Sequence, residues 1–333
     1  MSRKLITIST IMTLMSTSVM ADVPNVAADI APIHSLVSKV MDGVGEPKLV
    51  IQSGASPHGY RLRPSEAKAL QDANLIFWMG EELTPWLEGA IDTLASNASV
   101  TALLDQDGIV LHDFRQGALF EAHDHDDHDD HDDHDDHDDH KDHDDHKDHD
   151  DHDGHDDHDD HGHGAHDPHA WLSPENAKLW LNIIASKLSV ADPENAASYF
   201  TNAAVGQVEI EDMVAEVSAT LKPVQGGKFV VFHDAYQYFE NDFDFYASGA
   251  ISLSDASDPS PARIARIQKR IRDEGIQCVL AEPQFKQGLV ATVMEGSEAT
   301  ASVIDPLGAD IKSGPMLYTQ LIKNMAKKIK DCL

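Results

Sequence analysis

From His125 to His161 a histidine falls at every third position: His125, His128, His131, His134, His137, His140, His143, His146, His149, His152, His155, His158 and His161. The segment from 123 to 166 holds 16 of the chain's 21 histidines, with 22 aspartates against two lysines. Neutral imidazole is a common ligand of Zn²⁺ and its neighbours, and the interleaved carboxylates add oxygen donors and a strong negative field. A period of three matches neither a helix face nor a strand face, so the imidazoles cannot line one surface of a regular element. The segment has no Val, Ile, Leu or aromatic residue, and it is expected to be disordered without metal. An acidic linker needs charge but not histidine at this density, so the tract reads as a secondary metal loop that either gathers cations at low affinity or reports zinc abundance by ordering when loaded.

Five histidines remain: His34, His58, His112, His169 and His233. A lone loop histidine is ordinarily just hydrogen-bonded. Three of these, however, occupy one kind of place. His58 follows the apolar run ending at Ile51, His169 precedes Trp171 and the helix cap Ser173, and His233 ends Phe229-Val230-Val231-Phe232. Ligands of open α/β sheets bind at the carboxyl ends of strands. Three neutral imidazoles converging there would make a tight cation site, and Asp305, after Val303-Ile304, offers a carboxylate in an equivalent position. His34 belongs to the first turn of a helix. His112 joins the tract or does nothing, and neither is assigned to the site.

The elements that must carry these residues alternate strand and helix, which predicts parallel sheets covered by helices. Before the tract, strands are expected at 25–30, 48–51, 75–79 and 109–111, with helices at 33–40, 64–71 and 85–94. After it come a helix from Pro174 to Leu188 and a long one from about Asp192 to Leu221. Strands at 228–232, 243–247, 277–281 and 302–304 then alternate with helices at 261–274, 287–295 and 315–330. The organisation expected is a leader at 1–21, a first α/β lobe at 22–172 interrupted by the loop at about 121–166, joining helices at 173–222 and a second α/β lobe at 223–333.

Arg3 and Lys4, the apolar run Leu5 to Leu14 and Val19-Met20-Ala21 read as a secretory signal, cleaved before Asp22. Export makes Cys278 and Cys332 a disulfide pair. The net charge of −33 is mostly local: the tract carries −20 and everything else −13. Such a field repels nucleic acid and anionic lipid and gathers cations. No other run nears the length of a membrane span. There is no His-Glu-x-x-His helix, no Gly-x-Ser-x-Gly elbow and no phosphate loop.

Ser56-Pro57-His58 with Arg63-Pro64-Ser65, Asp167-Pro168-His169-Ala170-Trp171, Phe232-His233-Asp234-Ala235-Tyr236 with Phe239, and Ile304-Asp305-Pro306-Leu307-Gly308 resemble the metal-binding substrate-binding proteins of ABC importers, above all their zinc-uptake members. The resemblance runs from leader to final cysteine. It implies two α/β lobes joined by a long, rather rigid helix, with metal in the cleft between them. His58, His169 and His233 match the family's three histidines. Manganese-binding relatives have glutamate in place of His233, so histidine there points to zinc. Some zinc members place a glutamate directly before the first histidine, where this chain has Pro57, which leaves Asp305 or water as fourth ligand. The family also pairs a strand cysteine with a terminal one, as Cys278 and Cys332 would be. The function implied is capture of Zn²⁺ as transported cargo in the periplasm and delivery to a membrane permease, by a monomer that is no enzyme. Two rivals from other classes are a periplasmic zinc buffer without a transporter and a three-histidine zinc hydrolase or hydratase.

Overall fold

The computed structural model describes residues 23–115, 166–252, 259–284 and 287–333. The leader and the tract histidines from His125 to His161 lie outside the described residues. In chain order the first half forms β1 (Val26–Ala28), α1 (Ala31–Val40), β2 (Lys48–Leu49), α2 (Pro64–Gln71), β3 (Leu75–Trp78), α3 (Pro85–Leu94) and β4 (Ser99–Ala102). All pairings are parallel, in the order β2-β1-β3-β4. Then come α4 (Pro174–Ala191) and α5 (Ala196–Leu221). The second half repeats the plan: β5 (Phe229–His233), α6 (Gln237–Phe243), β6 (Ala250–Ser252), α7 (Pro261–Glu274), β7 (Cys278–Ala281), α8 (Gln287–Met294), β8 (Thr300–Val303) and α9 (Leu317–Cys332). Its parallel order is β6-β5-β7-β8. Two α/β lobes are therefore joined by a long helix, as expected.

That helix is not a free rod. α5 has 26 residues, about 39 Å at 1.5 Å per residue. Its buried stripe Tyr199, Ala203, Gly206, Ile210, Met213, Val217 and Leu221 packs among α1, α4 and α9. Gly206 permits the closest approach: a Cβ there would come within 2.9 Å of both Leu181 of α4 and Lys39 of α1. One buried cluster runs from Ile33 and Phe77 through Trp180 and Met213 to Phe229, Leu280 and Met325, so the lobes share a core. A smaller one, with Val230, Ile251, Ile267, Val279 and Val293, fills the far side of the second sheet. The Cys278–Cys332 disulfide ties the end of α9 to β7.

Two expected strands are absent. At 109–111 the amide and carbonyl of Val110 are taken by the side chain of Asn176, at 2.9 Å each, rather than by a strand. The fourth strand of that sheet is Ser99–Ala102, a short edge strand with little apolar signal. At 243–247 the alternation of Phe243, Phe245 and Ala247 mimics a strand. Phe243 instead ends α6, Asp244 turns left-handed at φ 49°, and Phe245 stacks on Phe229 with ring centroids 5.4 Å apart. The strand that pairs with β5 is Ala250–Ser252.

Candidate metal centre

The carboxyl ends of the strands carry the chemistry. His58 lies in the loop from β2 to α2, His233 ends β5, Glu282 follows β7 and Asp305 stands two residues beyond β8. His169 precedes the short 3-10 turn Ala170–Leu172 that leads into α4.

The His58 loop is pinned from both sides. The Trp86 indole donates to the Pro57 carbonyl at 2.7 Å, and buried Glu66 accepts from the Tyr60 hydroxyl at 2.8 Å and the Arg63 amide at 2.7 Å. His169 is held by Asp167, whose Oδ1 lies 2.7 Å from Nδ1 and accepts from the His169 amide at 3.0 Å. Trp171 reaches across to the second lobe, donating to the Pro306 carbonyl at 2.8 Å. On the other side His233 Nδ1 lies 2.5 Å from Glu282 Oε1, and Gln284 donates to the second oxygen of Glu282 at 2.8 Å. His169 is 5 % exposed, His233 3 %, Asp167 1 % and Glu282 2 %.

These carboxylates fix the tautomers. An imidazole whose Nδ1–H donates to a carboxylate presents its Nε2 lone pair as the acceptor, the arrangement that prepares histidine for a metal. The Nε2 atoms of His169 and His233 face each other at 3.4 Å. Two nitrogens bound at about 2.0–2.1 Å to one tetrahedral zinc stand about 3.3–3.4 Å apart. Burial pushes the Asp167 carboxyl up to about 6, opposed by the His169 amide and the charge of Arg115.

The structure brings His58 alongside this pair, its ring centroid 5.5 Å from that of His169, while the His169 and His233 centroids are 5.3 Å apart. No three His, Cys, Asp or Glu side chains among the described residues already form a finished cage. His58 is half-buried. Asp305 is committed to its own loop: Oδ1 accepts from the Leu307 and Gly308 amides at 2.9 and 3.0 Å, and Oδ2 from the Ala309 amide at 2.5 Å. His34 bonds the Pro47 carbonyl at 3.1 Å. His112 stacks on Tyr238 with centroids 4.7 Å apart, and its carbonyl accepts from the Asp167 amide at 2.8 Å, outside the site.

Sequence reasoning missed Glu282 and gave Asp167 no role of its own. Glu282 was open to the same argument that singled out His233 and Asp305, since Cys278-Val279-Leu280-Ala281 is an apolar strand that ends on it. Asp167 sits two residues before a candidate ligand, within reach of its Nδ1.

The profile of the family described as "Zinc-uptake complex component A periplasmic" matches residues 26–332. A high-affinity zinc uptake system protein ZnuA of Brucella abortus is 51 % identical over 308 residues, covering 92 % of this chain and 91 % of the relative. The protein of the same name from Paracoccus denitrificans is 48 % identical over 314 residues, covering 94 % and 93 %. A crystal structure of ZnuA superposes with a TM-score of 0.70 at 21 % identity, over 93 % of this chain and 99 % of that one, which speaks for the fold.

Proposed function

We propose, from the premise that this chain belongs to the ZnuA family of periplasmic zinc-uptake components, that His58, His169 and His233 close on one Zn²⁺ in the cleft between the lobes. The family is one of substrate-binding transport proteins, not enzymes, and its members serve an ABC importer's permease and ATPase. Zinc is cargo here, held and then surrendered. A periplasmic location accords with the leader expected at 1–21, and no helix among the described residues is long and apolar enough to cross a membrane.

The observation that carries the ligand assignment is the pair of facing Nε2 atoms, each backed by a buried carboxylate. Nitrogen donors favour Zn²⁺ over Mn²⁺, which prefers oxygen. A metal gripping His58 and His169 from one side and His233 from the other stabilises the closed form of the cleft, and a permease can distinguish that form from the empty one. Water is the natural fourth ligand where three histidines bind, with Asp305 as its rival. The tract, from His125 to His161, gathers further cations more loosely. The chain acts as a monomer beside its permease.

Competition of the metal-free protein with a zinc chelator tests the site. One tight site and several weaker ones are expected, and His58→Ala, His169→Ala or His233→Ala should each weaken the tight one by about 10-fold or more. If all three leave it intact, the assignment fails.

A further inference from the structure

Arg115 spends its side chain on the second lobe. Nε donates to the two Asp234 oxygens at 3.0 and 3.1 Å, and Nη1 to Glu240 Oε2 at 2.6 Å. Nη2 bonds Asp234 Oδ1 and, at 3.3 Å, Glu240 Oε1. The arginine side chain is 16 % exposed, Asp234 6 % and Glu240 1 %. Asp234 is the residue after His233, and Glu240 lies on α6, the helix that this loop starts. The segment that presents Arg115 is held from both sides: the His112 amide donates to the Tyr238 hydroxyl of α6 at 3.1 Å, while Val110 and the His112 carbonyl are held on the side of His169. Val110 is held by Asn176 of α4, and the His112 carbonyl takes the amide of Asp167, the partner of His169. The guanidinium therefore spans the same two halves that a zinc between His169 and His233 would span.

We propose that Arg115 is a positioning residue: a metal-independent latch that holds the His233 loop against the His169 loop, so that the cleft is nearly closed before zinc arrives and zinc leaves slowly. A planar fork that grips two carboxylates at once fixes geometry in a way a point charge cannot. Burying one cation with two carboxylates is weak evidence for stability, which makes a positional role the better account of the cluster. Holding the binding-competent state populated in advance raises apparent affinity without adding a contact to the metal. The inference rests on His169 and His233 being ligands.

The test compares the wild type with Arg115→Met, Arg115→Lys and the triple variant Arg115→Met/Asp234→Asn/Glu240→Gln. Each is measured by small-angle scattering without and with Zn²⁺ and by the rate of zinc loss to excess chelator. Arg115→Met should expand the metal-free form but not the zinc-loaded form, and should speed zinc loss by about 10-fold. Arg115→Lys, which can serve only one carboxylate well, should fall between. The triple variant strands no buried charge, so it guards against simple misfolding and should behave as Arg115→Met does. Zinc loss at the wild-type rate in Arg115→Met, or a triple variant restored to wild-type behaviour, overturns the latch. Failure of the ligand reading is separable: His169→Ala and His233→Ala would then keep tight zinc, while the scattering change in Arg115→Met would persist.

Discussion

Glu282 and Asp167 are placed alike, each with an oxygen against the Nδ1 of a buried histidine, which in the proposed site would leave Nε2 for the metal. Glu282→Gln keeps the size and one acceptor oxygen but removes the charge that makes His233 a stronger base. It should lower zinc affinity by about 10-fold or more while leaving the unfolding temperature of the metal-free protein nearly as it was. Unchanged affinity would make Glu282 a mere buried bystander. Asp305 poses the opposite case, because three backbone amides already claim its oxygens. We expect Asp305→Asn to cost about 1–3 kcal/mol of stability through the amide it can no longer serve, with zinc affinity changed less than a lost ligand would change it. A 10-fold fall in affinity would instead place Asp305 on the metal. The histidines were legible in the sequence because their type is rare outside the tract and each stands after an apolar strand run or just before a helix cap. Their carboxylate partners were not, because acidic residues are plentiful in this chain and only the fold shows which two are buried against an imidazole.

Among the elements, the helices were read nearly to the residue where proline marks the first turn, as at Pro64, Pro85, Pro174 and Pro261. The misreadings fell on short segments. At 109–111 a polar side chain satisfies the backbone, and at 243–247 a loop places alternate residues in the core. Sequence period also could not show that α5 is locked between the lobes rather than simply bridging them. Glycine in a helix interior costs about 1 kcal/mol relative to alanine, and at Gly206 the close approach of α4 and α1 accounts for keeping it. Gly206→Val should therefore overpack this junction and lower stability by about 1–3 kcal/mol, read as a lower urea midpoint. Zinc affinity of the folded fraction should stay near the wild-type value, since none of the proposed ligands lies on α5, α4 or α1. An unchanged midpoint would show that Leu181 and Lys39 move aside freely and that the junction is looser than it looks.

For the whole molecule, charge is the property that the sequence displays most openly and a static fold explains least. The tract supplies −20 of the −33, and it enters the described structure at a neck where His166 Nδ1 lies 2.8 Å from Asp113 Oδ1. Arg115 and Asp167, on the two strands of that neck, lead straight to the loops of His233 and His169. On the proposed reading, a cation drawn by the tract's field would arrive beside the cleft. Electrostatic steering raises association rates by roughly 10- to 1000-fold and fades as salt screens it, with a Debye length of about 8 Å at 0.15 M. Deleting 123–163 should leave the tight site and its zinc dissociation rate intact, remove the weaker sites, and slow zinc association at low salt. The association rate of the full chain should fall steeply as salt is raised, whereas that of the shortened chain should fall less, so that the two converge at high salt. Stopped-flow capture of Zn²⁺ at several ionic strengths measures this directly. Equal rates at every salt concentration would reduce the tract to a reservoir with no part in delivery to the cleft, and loss of the tight site on deletion would mean that the tract itself supplies a ligand.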